Sequence, residues 1–136
     1  MRNLLLATIS VIFLTMPTEA DELAVYRQRL LAVRTHDEVE QVYNEIDRRF
    51  NGDTDKIINY LEIIGFSCLK SSGYLKARCV FAHCGDREVL LLFKRQLVTI
   101  EMWIREQRVI TSVINQLSEC PASSDLLVER QKSFLK

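Results

Sequence analysis

The residues with the most chemistry to offer are Cys68, Cys79, Cys84 and Cys120, with His83 beside one of them. Thiolates next to an imidazole suggest a zinc site or a Cys–His nucleophile. Zinc sites usually converge two thiolates on one ion through C-x2-C pairs, and no such pair occurs; adjacent His83 and Cys84 would also point different ways. A nucleophilic cysteine would require one thiol left unpaired and its thiolate stabilised, and an even count argues against that. The chemistry that remains is oxidation to two disulfides, as expected of an even number of cysteines in an exported chain. Of the three connectivities, Cys68–Cys79 with Cys84–Cys120 is preferred because of a hairpin described below. Chain-entropy arguments give roughly 3 kcal/mol for the shorter loop and roughly 4 kcal/mol for the longer one.

Other catalytic signatures are absent. The chain has no G-x-S-x-G, H-E-x-x-H, Walker glycine loop or G-x-G-x-x-G. Paired carboxylates such as Glu38 with Glu45, or Asp53 with Asp55, could do acid–base work in a cleft. A solvated helix face explains the first pair and a helix start, where negative charge favours the dipole, explains the second. His36 reads as a residue near a helix cap. The expectation is a protein without catalytic residues, metal or cofactor.

These residues need elements to hold them. Met1 and Arg2 precede an uncharged, mostly apolar run from Asn3 to Met16, and Pro17-Thr18-Glu19-Ala20 supplies small residues at −3 and −1. This predicts a signal peptide over residues 1–20, cut before Asp21. Fourteen residues rise only about 21 Å as a helix, short of a roughly 30 Å hydrocarbon core. The 116 residues that follow are expected in the periplasm or secreted, as one domain over 21–120 and, over 121–136, a tail or a short helix.

From Asp21 to about Asn51 the apolar residues follow the 3.6-residue period, with Leu23, Tyr26, Leu30 and Val33 on one stripe and Val39, Val42, Tyr43, Ile46 and Phe50 on another. Thr35-His36-Asp37-Glu38 between them has the form of a capping box and starts a second helix. Asn51-Gly52 stops it. Asp53 or Thr54 caps a third helix carrying Ile57, Ile58, Leu61 and Ile64, which ends at Gly65.

Beyond Gly65 the period becomes two. Phe66 and Cys68, then Leu75, Ala77, Cys79 and Phe81, alternate with their neighbours around Ser71-Ser72-Gly73-Tyr74, which predicts a hairpin with Cys68 opposite Cys79. A turn is expected at Cys84-Gly85-Asp86-Arg87, a third strand over Glu88–Lys94, a tight connection at Arg95-Gln96 and a fourth strand over Leu97–Ile104. Ile110, Val113, Ile114 and Leu117 read as a helix, Pro121 to Ser124 break it, and Asp125–Lys136 is a short amphipathic tail. The fold class predicted is α+β: three amino-terminal helices, a small antiparallel β-meander and a carboxy-terminal helix, braced by disulfides. The competing reading is all-α, with one long helix from about 88 to 118, because Leu97, Ile100, Ile104, Ile110, Ile114 and Leu117 also fit one helical stripe.

Charge is balanced over the chain, 18 basic residues against 18 acidic ones, which argues against a polybasic nucleic-acid binder. Residues 21–64 nevertheless carry six basic and ten acidic groups, and residues 65–136 eleven and seven. The predicted sheet is apolar on both faces. Val89, Leu91 and Phe93 are expected to face the helices, and Leu90 and Leu92 the other way with Val80, Leu97 and Trp103. Either the carboxy-terminal helix covers that second face or it is an interface, with Leu90, Leu92 and Trp103 at its centre and Lys76 and Arg78 beside it. The sequence thus points to an exported, non-enzymatic binding or accessory protein, inhibitor-like or immunity-like, whose partner is another protein, an envelope component or a second copy. The alternatives are an assembly subunit of an envelope or secretion complex and a small secreted enzyme.

Overall fold

A computed structural model describes residues 16–89, 92–106, 108–117 and 120–136, with 86–89, 92–94, 116 and 117 described by their backbone alone. The element order is α1 (Glu19–Ala32), α2 (His36–Arg49), α3 (Thr54–Ile64), β1 (Ser67–Lys70), β2 (Leu75–Val89), β3 (Leu92–Arg105), β4 (Arg108–Leu117) and α4 (Ser124–Ser133). The class is α+β, with three helices before an antiparallel sheet of order β1-β2-β3-β4 and one after it. The all-helical alternative does not occur.

Each helix begins where a side chain can accept from an amide the helix leaves unbonded. Thr35 Oγ1 accepts from the Glu38 N–H while the Glu38 carboxylate accepts from the Thr35 N–H at 3.0 Å, the capping box expected from sequence. Asp53 and Ser123 cap α3 and α4 in the simpler way. Thr18 and Asp21 form a further box, so α1 starts at Glu19, ahead of the expected cleavage point. Gly65 ends α3 with φ at 129°, and a Cβ there would lie 3.3 Å from the Phe81 ring. The position therefore needs glycine for its backbone and for its packing.

The core forms between the first three helices and one face of the sheet. Leu30, Val39, Val42, Ile46, Ile57, Ile58, Leu61 and Ile64 meet Ala77, Cys79 and Phe81 of β2 and Ile100, Met102 and Ile104 of β3. Arg29 clamps Glu45 with two hydrogen bonds of 2.5 and 2.9 Å and ties α1 to α2. The hydrogen bonds from Arg29, and then its charge, hold the Glu45 carboxyl below its ordinary pKa.

The meander differs from the predicted one in its strand limits. Cys84-Gly85-Asp86-Arg87 is not a turn: β2 runs through it, with Gly85 opposite Gln96 and Val89 opposite Leu92. Arg95 and Gln96 correspondingly lie inside β3 rather than in a connection. Ile110, Val113, Ile114 and Leu117 belong to strand β4, paired with β3 from Arg105↔Arg108 to Gln96↔Leu117. The carboxy-terminal helix is α4, within the segment read from sequence as a tail or a short helix. Gly-Asp is a good local turn sequence, but a continuous ladder satisfies every backbone group on the paired side, and that outweighs the local preference.

Both disulfides follow the preferred connectivity, Cys68–Cys79 and Cys84–Cys120. Cys68 and Cys79 are direct partners across β1 and β2, and their 4.1 Å Cα separation marks a non-hydrogen-bonded pair, where side chains approach most closely. The second bridge ties the chain beyond β4 back to β2 at the start of the path into α4. That helix is held by a buried amide. Gln131 Oε1 accepts from the Ala82 N–H at 2.8 Å, and its Nε2 donates to Gly65 O at 3.0 Å and Ser67 Oγ at 2.8 Å. Because β1 stops pairing at Val80, Ala82 has no strand partner on that side, and Gln131 takes the place of the missing one.

Candidate functional site

The face of the sheet turned away from α1–α3 is built from the even-numbered residues of β2 and β4 and the odd-numbered residues of β3. Register arranges them in rows across the strands. One row is Leu69–Arg78–Trp103–Ile110, the next Ser67–Val80–Glu101–Ser112, and the third Ala82–Thr99–Ile114. Val80, Ala82, Leu97, Thr99 and Glu101 are buried, and α4 packs against β2 on this side of the molecule. Cover is lost toward the first row and toward β4. Leu69 is 53% exposed, Ile110 36% and Ile114 42%, while Trp103 is half-buried among them.

Charge is concentrated at the centre of that exposed part. Arg78 Nη2 donates to Glu101 Oε2 at 3.1 Å, and the same guanidinium lies 5.6 Å from the centre of the Trp103 ring. Ion pairing with Glu101 and cation–π attraction to the indole together hold the Arg78 guanidinium beside Trp103. Lys76 pairs with Glu106 at 3.1 Å beside the irregularity between Leu75 and Ala77, and Arg105 lies over the exposed Tyr74 ring. Aromatic and arginine side chains are the residue types enriched at protein interfaces in general.

A groove of about 550 Å³ opens on the opposite side of β4, between α2 and the β3–β4 turn. His36, Glu40, Asn44 and Asp47 line its helical wall, and Arg105, Arg108 and Thr111 its strand wall. Thr111 Oγ1 donates to His36 O at 3.2 Å, which joins α2 to the strand. Tyr43 is pushed up to about 12 by burial, reinforced by the nearby Asp47 carboxylate. Glu40 and Asp47 thus stand on one wall and Arg105 and Arg108 on the other. Among the described residues, no three His, Cys, Asp or Glu side chains cluster to hold a metal ion.

His83 lies at the upper limit of the core face, 5% exposed, with its ring 5.9 Å from that of Phe81. Burial holds its pKa below the ordinary 6.5, a hydrogen bond with the Cys84 backbone works the other way, and Arg34 adds a smaller lowering. It stands apart from the Arg78–Trp103 row and from the groove.

Of the residues expected at an interface, Trp103 and Arg78 are brought together, and Lys76 sits nearby on the same edge of the hairpin with Glu106 as its partner. Leu90 lies outside the described residues, as does Leu91. Leu92 is placed in β3, but its side chain, like those of Val89 and Phe93, is not among those described. Sequence reasoning missed Ile110 and Ile114, which it placed on a helix, together with Glu101 and Gln131. The signal for the isoleucines was present: Val109, Ile110, Thr111, Val113 and Ile114 make a β-branched run of a kind that favours strands. Among the described residues, no helix is long and apolar enough to cross a membrane. Compared with known protein families, curated proteins and solved structures, the chain matches none.

Proposed function

We propose that this chain is an exported, non-enzymatic binding protein, inhibitor-like or accessory in role, which presents the second face of its sheet to another macromolecule. The observation that carries this reading is the row Leu69–Arg78–Trp103–Ile110 with Ile114 beside it, a locally exposed apolar strip around one aromatic–arginine pair. Interfaces draw most of their energy from such anchors, and a rigid sheet loses little entropy when it docks. Two disulfides, compatible with an oxidising compartment, supply rigidity where the domain is small. The basic groups Lys76, Arg78 and Arg105 near the strip favour an acidic rim on the partner.

The test is affinity capture of the oxidised protein from its producing cells, with crosslinking and mass spectrometry, beside Trp103→Ala. A dominant partner crosslinked near Arg78 and lost with Trp103→Ala, while the circular dichroism spectrum and both disulfides persist, supports the reading. A partner retained in full by Trp103→Ala removes this face as the site.

A further inference from the structure

We infer that β4 is a self-pairing strand, and that two copies of this chain join their sheets edge to edge about a two-fold axis through Ser112. The first observation is that β4 ends the sheet, and among the described residues no strand lies beyond it. Natural edge strands are guarded by prolines, inward charges, bulges or short length. Over its ten residues, β4 has no proline and no glycine, a single charge at Arg108, and an unbroken register with β3. It is a long edge without those four guards, and α2 packs on its helix-side face, where Thr111 Oγ1 donates to His36 O.

Hydrogen-bond parity shows which groups that edge offers. Arg105 and Arg108 close a two-residue hairpin, so they form a hydrogen-bonded pair, and the even-numbered residues of β4 bond to β3. Counting the same alternation across β3 makes Ala82 point away from β3, which is where its N–H meets Gln131. The N–H and C=O groups of Val109, Thr111, Val113 and Asn115 therefore face the open edge.

The choice of a second copy rests on self-complementarity. Opposed residues in an antiparallel pair point to the same face, so an even residue must meet an even one, and the two-fold axis must pass through a residue. Centred on Ser112, the pairing sets Ile110 against Ile114 in both directions, joins Thr111 to Val113 and Val109 to Asn115 by hydrogen bonds, and brings Arg108 opposite Gln116. The isoleucine pairs fall at non-hydrogen-bonded positions, where side chains approach most closely. Centring on Thr111 would oppose Ile114 to Arg108, and centring on Val113 would oppose Ile110 to Gln116. Only the Ser112 axis removes both exposed isoleucines from water together. The groove between α2 and β4 leaves room on the other face for the partner copy's Val113 and Asn115. Association closes at two copies, because the opposite edge is the four-residue β1, with Gln131 occupying β2 just beyond it.

Sedimentation of the oxidised protein over a concentration series should show a reversible dimer. Ser112→Lys and Ser112→Glu each place like charges face to face on the axis and should raise the dissociation constant at least about tenfold. An equal mixture of the two variants should restore the dimer, which also shows that both still fold. Hydrogen exchange on the unaltered protein gives an independent readout: the amides of Val109, Thr111, Val113 and Asn115 should gain protection with concentration, while those of Ile110, Ser112 and Ile114 are protected throughout. A protein that stays monomeric at every concentration overturns the inference. So does a dimer with an unchanged dissociation constant in both Ser112 variants, or protection of these four amides conferred only by a different polypeptide. Trp103 is not on the edge, so loss of a captured partner with Trp103→Ala leaves the sedimentation result unchanged, and the two readings fail separately.

Discussion

The two faces of the sheet come from the same strands and differ in almost every other respect. Toward α1–α3, Cys79, Ile100, Met102 and Ile104 are fully buried in one continuous core with the helices. Toward the other side, buried Glu101 pairs with half-buried Arg78 beside Val80, Thr99 and Leu97, and the apolar residues nearest β4 are left exposed. The first face is organised by area removed from water, which is non-directional and tolerates any close-packing hydrophobe. The second is organised by specific pairing, in which an arginine is held at once by a carboxylate and an indole. Stability is concentrated on one side of the strands, and the freedom to meet another molecule on the other.

Substitutions that cut one isoleucine on each face break this comparison most directly. Ile100→Ala should cost about 3 kcal/mol in a denaturant unfolding experiment, through lost burial and the cavity left behind. Ile114→Ala, 42% exposed in the single chain, should cost less than about 0.5 kcal/mol when unfolding is followed at concentrations where the protein is monomeric. Equal losses would mean that the second face is as much a core as the first.

A smaller effect is expected where α4 joins the two sides. Gln131→Ala removes three hydrogen bonds and leaves the Ala82 N–H and Gly65 O without their partner, which should cost about 2 kcal/mol. Amide exchange at Ala82 should accelerate while exchange at Ile100 follows only the global loss. An Ala82 amide that stays protected would mean that the helix is held by something other than Gln131.

The smallest effect sharpens the limit of the core face. His83 titrates near 6.5 when unfolded and lower when folded, so the unfolded chain binds the proton first as pH falls. Its contribution is complete above about 6.5 and is lost as the pH drops from there toward the folded value. His83→Leu should therefore flatten thermal stability between neutral and mildly acidic pH. An unaltered pH profile would show that the imidazole is not desolvated there.

How much of this was legible varied with the range of the deciding interaction. The Thr35–Glu38 box and the α3 stripe are settled within one helical turn, and Cys68 against Cys79 within one short hairpin; all were readable. The strip around Trp103 was readable only in part, since Trp103 and Arg78 were singled out but their contact depends on the register of β2 with β3. β4 was misread because Ile110, Val113, Ile114 and Leu117 satisfy helical spacing while the whole segment satisfies strand composition. Its fourteen-residue neighbour β3 decided the matter by offering a ladder partner along its length.

By itself, the amino-acid order determined the first three helices, the start of the meander, the number of cysteines and the class of the fold. These depend on caps, periodicity and contacts a few residues apart, where chain entropy is cheap to overcome. Only the tertiary structure decided how far the hairpin of β2 and β3 extends, that the segment after it is a strand, and that Gln131 completes the edge β1 leaves open. Each of these depends on groups brought together from distant parts of the chain, and no local pattern records which partner will be there.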